Sequence, residues 1–572
     1  MKKKLCLLLL TCLLLSQSLF SKETEILWVF LKQEYLEMSS GRMLTYNQKT
    51  RQRLAKVNWQ TGPSDYLPNA EIRVRIEKEV IKLRHYSRSL GAYSVEIRAG
   101  DKKKLTALPF VSSVREVRFS TRRKDTFYDL QSTGLLKSND FYGKSGTQLE
   151  QLNILPVHAM GITGKGVRVG MLDTGFMTDH EVFSYMIENG RLMSQWDFIN
   201  NDNNTQDEAA IDSVAGNVQH DHGTAAFSCL AGYMPNIHLG AAYDVEMLLA
   251  KTEIKASETR IEEDHYVAGI EWLEANGADI ISSSLGYRDF DDFEYPFSDF
   301  DGKTGVTTQA VNWAYERGVV FVTAAGNDAS RFSDGGLIMP ADARGALTVG
   351  AVNSNGNIAS FSSHGPTYDG RIKPEVCAMG YNTHVAITCT PTSYRFSNGT
   401  SFATPLIAGS CALILEKYPF WTPEMVIWNL KNFSDRSDDP DNMYGWGIPN
   451  IYRLITETPD SVFNYPEVPT RDIMVAPNPV CVKDYGERAK IYFKWTLPES
   501  DNALSENFEV SIYDLLGKKV YSQKLVQKAI GEIDCVVWNL KNFCGNNVSS
   551  GIYLVKVSGK KMNKLGKLTI VK

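Results

Sequence analysis

Between residues 167 and 418, short apolar runs alternate with longer amphipathic ones, the pattern of parallel strands joined by helices. Val167 to Leu172 reads as a buried strand ending at Asp173. His222 opens a helix to Ala231, Gly240 to Leu249 holds a strand, and Ile261 to Asn276 repeats at helical period. Ala278 to Ser284 is a strand closing on Ser284-Leu285-Gly286. Thr307 to Arg317 is a helix, and Val319 to Ala324 and Leu347 to Val352 are strands. Ser401 to Tyr418 is apolar nearly all round, which predicts a helix buried in the core. The flanks differ. Ile26 to Lys32, Gly91 to Arg98 and Val111 to Phe119 pattern as strands, with Ala70 to Leu83 and Lys102 to Leu108 as helices. That β-α-β-α-β succession suits a ferredoxin-like sandwich. After Ile455 comes a turn-rich stretch with Pro459, Pro466 and Pro469, then only short alternating strands: Ile491–Trp495, Phe508–Tyr513, Lys519–Leu525, Ile533–Trp538, Gly551–Val557 and Lys567–Val571. They pattern as a β-sandwich. The fold class is therefore α/β, a parallel sheet with flanking helices between two smaller domains.

At 572 residues the chain exceeds one core and suggests three or four units of roughly 100–200 residues each. A formal net charge of −5, with 22% charged residues, gives no reason for a nucleic-acid partner. Met1-Lys2-Lys3-Lys4, the apolar run Leu5 to Leu15 and the small residues to Ser21 read as a secretory signal peptide. The run is shorter than the about 20 apolar residues that span a bilayer. A lipoprotein reading through Cys12 is weaker, since Thr11 precedes it where a smaller residue is usual. Seven cysteines remain after the leader, an odd number spread too widely for a disulfide framework. Cys229 and Cys411 lie in apolar helical runs and read as buried small hydrophobes. Cys377 and Cys389 flank the approach to Ser401, where a bridge and two free thiols are equally reasonable.

Four motifs carry chemistry: Asp173-Thr174-Gly175, His222-Gly223-Thr224, Ala324-Ala325-Gly326-Asn327 and Gly399-Thr400-Ser401-Phe402-Ala403-Thr404-Pro405. Together they supply an orienting carboxylate, a base, an oxyanion donor and a nucleophile, the groups an acyl-transfer site needs. Asp173, Ser284 and Asn327 fall at the carboxyl ends of expected strands, where open α/β sheets bind ligands. Ser401 begins a helix, so the dipole favours negative charge beside it.

The order Asp, His, Asn, Ser and all four motifs resemble the subtilisin-like serine protease family. The resemblance implies a subtilisin-like parallel sheet and a serine endopeptidase acting on protein or peptide substrates, with Asp173, His222 and Ser401 as triad and Asn327 as oxyanion donor. It further implies that Ser284, Leu285 and Gly286, with Ala324, Ala325 and Gly326, frame the substrate side chain next to the cleaved bond. Ile338 would floor that pocket, unless it is a plain core isoleucine. In position and pattern the first domain is similar to the inhibitory propeptide of that family, an accessory domain being the alternative. Arg122-Arg123-Lys124 and the polar segment after it would hold the processing site. Ala476-Pro477-Asn478-Pro479, Tyr513-Asp514-Leu515-Leu516-Gly517-Lys518 and Ser550-Gly551-Ile552-Tyr553 resemble the sorting domains of type IX secretion cargo, which implies outer-membrane secretion machinery as a partner. A generic immunoglobulin-like binding module is the competing reading.

The expected organisation is a signal peptide over 1–21, a propeptide-like domain over 22–124, a catalytic domain over 125–457, a linker over 458–470 and a sorting-like domain over 471–572. No cofactor is required. The acids Asp202, Asp207, Glu208 and Asp212 of the loop Asn200 to Gly216 could bind calcium, although a solvated insertion is simpler, and the loop Asp289 to Asp301 reads the same way. His220 reads as a loop residue rather than a metal ligand. The rival from another class is a binding protein on an inactive protease scaffold. A dedicated processing peptidase or a transpeptidase would use the same triad.

Overall fold

The computed structural model describes residues 24–37, 43–57, 59, 61–117, 141–208, 218–254, 261–290 and 293–458, and most strands of the C-terminal region: 473–476, 480–481, 489–494, 507–514, 516–526, 533–538, 540–543, 546–558 and 563–571. The leader, the basic stretch at 122–124, the linker over 459–470 and Asp212 lie outside the described residues.

The N-terminal domain is a four-stranded antiparallel sheet of β1 (Thr24–Leu31), β2 (Lys82–Ser87), β3 (Ala92–Arg98) and β4 (Val111–Glu116), in the order β2-β3-β1-β4. The helix expected from Ala70 to Leu83 is shorter, Ala70–Glu77, and the end of that stretch already belongs to β2. The chain breaks because Val80 and Ile81 suit a pleated surface and because Leu83 and Tyr86 pair with Val95 and Tyr93 of β3. Around the sheet the succession is thus β-α-β-β-α-β. Alternation along β1 divides its side chains between two cores. Leu27, Val29 and Leu31 join Ile72, Ile76, Val95, Ile97 and Phe110 within the domain. Trp28, flanked by Ile26 and Phe30, joins Tyr266, Ile270, Val311 and Ala314 of the next domain.

That domain is built on seven parallel strands: β5 (Arg168–Asp173), β6 (Leu192–Asp197), β7 (Glu246–Lys251), β8 (Ile280–Ser283), β9 (Val320–Ala324), β10 (Ala346–Val352) and β11 (Val376–Met379). They lie in the order β11-β10-β9-β8-β5-β7-β6. Four helices flank the sheet or fix the site: α1 (Asp221–Ala231), α2 (Ile261–Ala275), α3 (Val306–Glu316) and α4 (Thr400–Lys417). The all-round apolar run of α4 is buried from Thr400 to Leu415 and lies against β8, β9, β10 and β11. The strand expected within 240–249 begins only at Glu246, because Ala242 and Asp244 are spent in a turn whose backbone bonds Leu230 and Thr163.

The C-terminal unit has a three-stranded and a five-stranded sheet, with strands at all six expected places. Its core gathers Val510, Ile512, Val536, Trp538, Tyr553, Val555, Val557, Leu568 and Ile570. The indole of Trp538 donates to Lys541 O at 2.8 Å, and the Tyr553 hydroxyl donates to Ser549 O at 2.8 Å. The Asp514 carboxylate accepts from the backbone N–H groups of Leu516 and Lys518, closing the hairpin between Asn507–Asp514 and Lys519–Val526.

Candidate active site

The end of β5 delivers Asp173, fully buried, to the first turn of α1. Its Oδ1 accepts from the Thr174 N–H at 2.8 Å and lies 2.7 Å from His222 Nδ1. Each residue of His222-Gly223-Thr224 has a separate part in that approach. A Cβ on Gly223 would overlap Gly175 O and fall 2.9 Å from Asp173 Cβ, so only glycine lets the helix come this close. The Thr224 hydroxyl donates to His220 O at 2.6 Å and accepts from the Met177 N–H at 2.8 Å, pinning the loop after Asp173. From behind, Ser228 of α1 is held by the Ala386 N–H at 3.0 Å and by His238, whose Nε2 is 2.9 Å from Ser228 O. Burial drives the His238 imidazole down to about 4, so it stays neutral as a strut.

Ser401 is the second residue of α4, with 5% of its surface exposed. Its Oγ is 3.4 Å from Ser284 O, and the Ser284 hydroxyl donates to Ser401 O at 2.7 Å, which ties the helix start to the end of β8. The ring of the next residue, Phe402, sits 6.0 Å from the His222 ring. Just past β9, Gly326 takes φ of +114°, a conformation that favours glycine, and turns the chain into Asn327. Asn327 Oδ1 accepts from both the Thr400 N–H at 2.9 Å and the Thr400 hydroxyl at 3.1 Å. With its oxygen occupied, the amide can offer only its NH2 group to a ligand. Thr400 is the positioning residue that sequence reading missed. It stands inside a recognised motif, but its partner lies 73 positions away.

Ile338 is half-buried between the two candidate substrate segments. A Cβ on Gly286 would overlap Ile338 Cδ1, and one on Gly326 would meet its Cγ2 at 3.1 Å. Gly286 on one side, and Ala325 and Gly326 on the other, are therefore brought together at Ile338, whose N–H donates to Ala325 O at 3.3 Å.

Asp207 spends its carboxylate on the Gln219 and His220 N–H groups, and Asp301 on those of Lys303 and Thr304. Among the described residues no group of three or more His, Cys, Asp or Glu is placed to hold a metal ion. His220 precedes α1, and its Nδ1 accepts from the Asp207 N–H at 3.0 Å. Burial lowers its pKa against the opposing pull of Asp207 and Asp221. Cys377 and Cys389 are not bridged. Cys377 is buried on β11 with its sulfur 3.5 Å from Tyr444 O, whereas Cys389 lies exposed beyond Ile387. Cys229 and Cys411 are buried and free, and burial raises both thiols.

The subtilase family matches residues 164–447, and the secretion system C-terminal sorting domain matches residues 477–572. The chain is 30% identical over 385 residues to an alkaline protease of Alkalihalobacillus alcalophilus, covering 67% of this chain and 84% of that protein. It is 33% identical over 297 residues to subtilisin DY of Bacillus licheniformis, covering 52% and 93%. It is 32% identical over 294 residues to subtilisin Savinase of Lederbergia lenta, covering 51% and 92%. A subtilase-type sheet and a sorting tail on one chain mark a protein that leaves the cell for its surface or beyond, and this chain belongs to the subtilase family as a serine endopeptidase.

Proposed function

We propose that the protein cleaves peptide bonds through an acyl-enzyme on Ser401, with His222 as base, Asp173 as its orienting carboxylate and Asn327 as oxyanion donor. The observation that carries this reading is the buried 2.7 Å contact between His222 Nδ1 and Asp173, beside the helix start that presents Ser401. With Nδ1 donating to Asp173, the imidazole keeps its other nitrogen as the basic one. His222 takes the Ser401 proton as Oγ attacks the substrate carbonyl, and the imidazolium formed is stabilised by Asp173. The negative oxygen of the tetrahedral intermediate meets the Asn327 amide and the Ser401 N–H at the positive end of α4. His222 then protonates the leaving amine, and water repeats the sequence to release the acid. A fluorophosphonate probe will label Ser401, and His222→Ala will lose that label. Absence of labelling in the mature protein favours the inactive binding scaffold.

Removing the second oxyanion donor leaves a slow enzyme. Asn327→Ala lowers turnover by roughly 10²–10³, the loss known for subtilisin itself, with KM little changed. Steady-state hydrolysis of a chromogenic peptide reads both constants.

Peptide substrates enter along Ser284–Gly286 and Ala324–Gly326 through backbone hydrogen bonds. Ile338 between them makes the pocket shallow. Ile338→Gly then shifts the preferred side chain toward large aromatics by about tenfold or more in kcat/KM, since added apolar contact in a pocket is worth about 1–3 kcal/mol per methylene. An unchanged profile across a peptide library assigns Ile338 to the core alone.

The N-terminal domain serves as an inhibitory propeptide in this reading. In support, the Glu271 carboxylate on α2 accepts from the Ser87 hydroxyl at 2.6 Å and from the Arg88 and Ser89 N–H groups at 2.9 Å each. The tail acts as the address for a secretion system at the outer membrane, since a leader carries a chain across the inner membrane only.

A further inference from the structure

Between β1 and the helix Ala70–Glu77, the N-terminal domain carries an insert, closed at its base by the Met43–Tyr66 bridge and containing the helix Gln48–Lys56. Tyr35 and Leu36, just after β1, pack against the hydrophobic core of the N-terminal sheet, but none of the described residues from 43 to 66 joins it. Its buried residues turn instead toward the C-terminal ends of α2 and α3. A helix leaves its last carbonyls without partners in its own backbone, and its dipole makes that end negative. The insert meets both needs. Asn47 Nδ2 and the Thr50 hydroxyl each donate to Ala275 O at 3.1 Å. Arg53, 1% exposed, donates to Glu274 O at 2.9 Å, to Glu274 Oε1 at 2.7 Å and to Arg317 O at 3.2 Å.

The enzyme side answers in kind. Arg317, just past α3 and fully buried, donates to Glu274 Oε1 at 3.0 Å and to Asp65 Oδ1 of the insert at 2.8 Å. Its guanidinium lies 4.7 Å from the Trp59 ring of the insert and 5.0 Å from the Trp313 ring of α3. Asp65 is completed by the Tyr46 hydroxyl at 2.5 Å, the Trp59 indole at 2.9 Å and the Gly62 N–H at 2.8 Å. Burial pushes the Glu274 carboxyl up, but Arg53, Arg317 and Arg88 outweigh it and hold it below its ordinary value. The network is charged, buried and shared across two domains. Stranding one member of such a set costs far more than losing a surface pair.

We propose that the paired ends of α2 and α3 are a docking face for this insert. Arg53 is the anchor that keeps the N-terminal domain on the enzyme after the connection between them is cut. The inference rests on the propeptide reading for its regulatory meaning: removing the inhibitor then requires breaking this second hold in addition to the one at Glu271. Arg53, Thr50 and Asp65 are thus determinants of how long the enzyme stays blocked, although none lies near Ser401 in sequence or belongs to the catalytic machinery.

The test uses the full chain carrying Ser401→Ala, with a recognition site for a sequence-specific protease placed between residues 118 and 140. After cutting, dissociation of the N-terminal domain is followed by size exclusion and by surface plasmon resonance. The unaltered pair stays together at micromolar concentration. Arg53→Met raises the dissociation constant by about 100-fold or more, and Glu274→Gln, on the enzyme side where it cannot disturb folding of the released domain, raises it at least tenfold. Release of the Glu274→Gln complex at the unaltered rate overturns the proposal, as does rapid release of the unaltered pair. The same cut made with Ser401 intact separates the two readings. A domain that stays bound while peptide hydrolysis runs at full rate ends the inhibitor reading and leaves the docking face standing.

Discussion

Ser401→Ala abolishes peptide hydrolysis, with turnover falling by about 10⁶, the order found when subtilisin loses its nucleophile. The substitution deletes one oxygen at the second position of α4, and alanine is the best helix former, so the helix and the domain persist. Ser401 is held by the Ser284 hydroxyl through its carbonyl, a contact the substitution leaves in place. What disappears is the atom that forms the acyl bond. Residual hydrolysis over the uncatalysed rate then comes from the Asn327 amide, the backbone N–H and substrate positioning. Purified Ser401→Ala is assayed on casein and on a chromogenic peptide, with thermal unfolding as the check on folding. Hydrolysis near the unaltered rate, with unfolding unchanged, removes Ser401 from the nucleophile role.

Deleting residues 471 to 572 spares catalysis and stops delivery outside the cell. The C-terminal unit buries its own core around Trp538, Val555 and Ile570, while the catalytic sheet and α4 draw on residues no later than Glu457. Truncation therefore removes no residue of the catalytic sheet or of α4, and unfolding of the remaining domain is expected to stay where it was. The sorting family covers residues 477–572, almost the whole deleted unit. The truncated and full-length proteins are expressed in the native host, and activity is measured separately in periplasm and medium. Activity held in the periplasm, with the medium at background, is the expected result. Activity in the medium at the full-length level assigns the sandwich to binding.

The places where sequence reading fell short have physical causes. Leu192–Asp197, an outermost strand of the parallel sheet, is partly exposed and lacks a sustained apolar run, and Val376–Met379, at the opposite edge, is a short apolar run whose period alone does not tell strand from helix. The strand Lys82–Ser87 is also at an edge, and its half-exposed Arg84 and His85 continue the charged texture of the helix before it. In contrast β5, β9 and α4 are buried on every side, and their composition announces it.

The α/β class, the order of the four chemical motifs and the strand ends they occupy were legible in the chain alone, because each depends on residues close together in it. So was the tail, whose strands alternate and whose turns carry fixed phrases. Contacts between distant segments settled the rest. They turn the Asn327 oxygen to Thr400, and they set Ile338 in the space between Gly286 and Gly326. They also gather Arg53, Asp65, Glu274 and Arg317 into one buried network. The farthest pair of these four is 264 positions apart in sequence. A charged side chain is withdrawn from water only where partners from other elements replace its solvent, and no local pattern records which distant elements those will be.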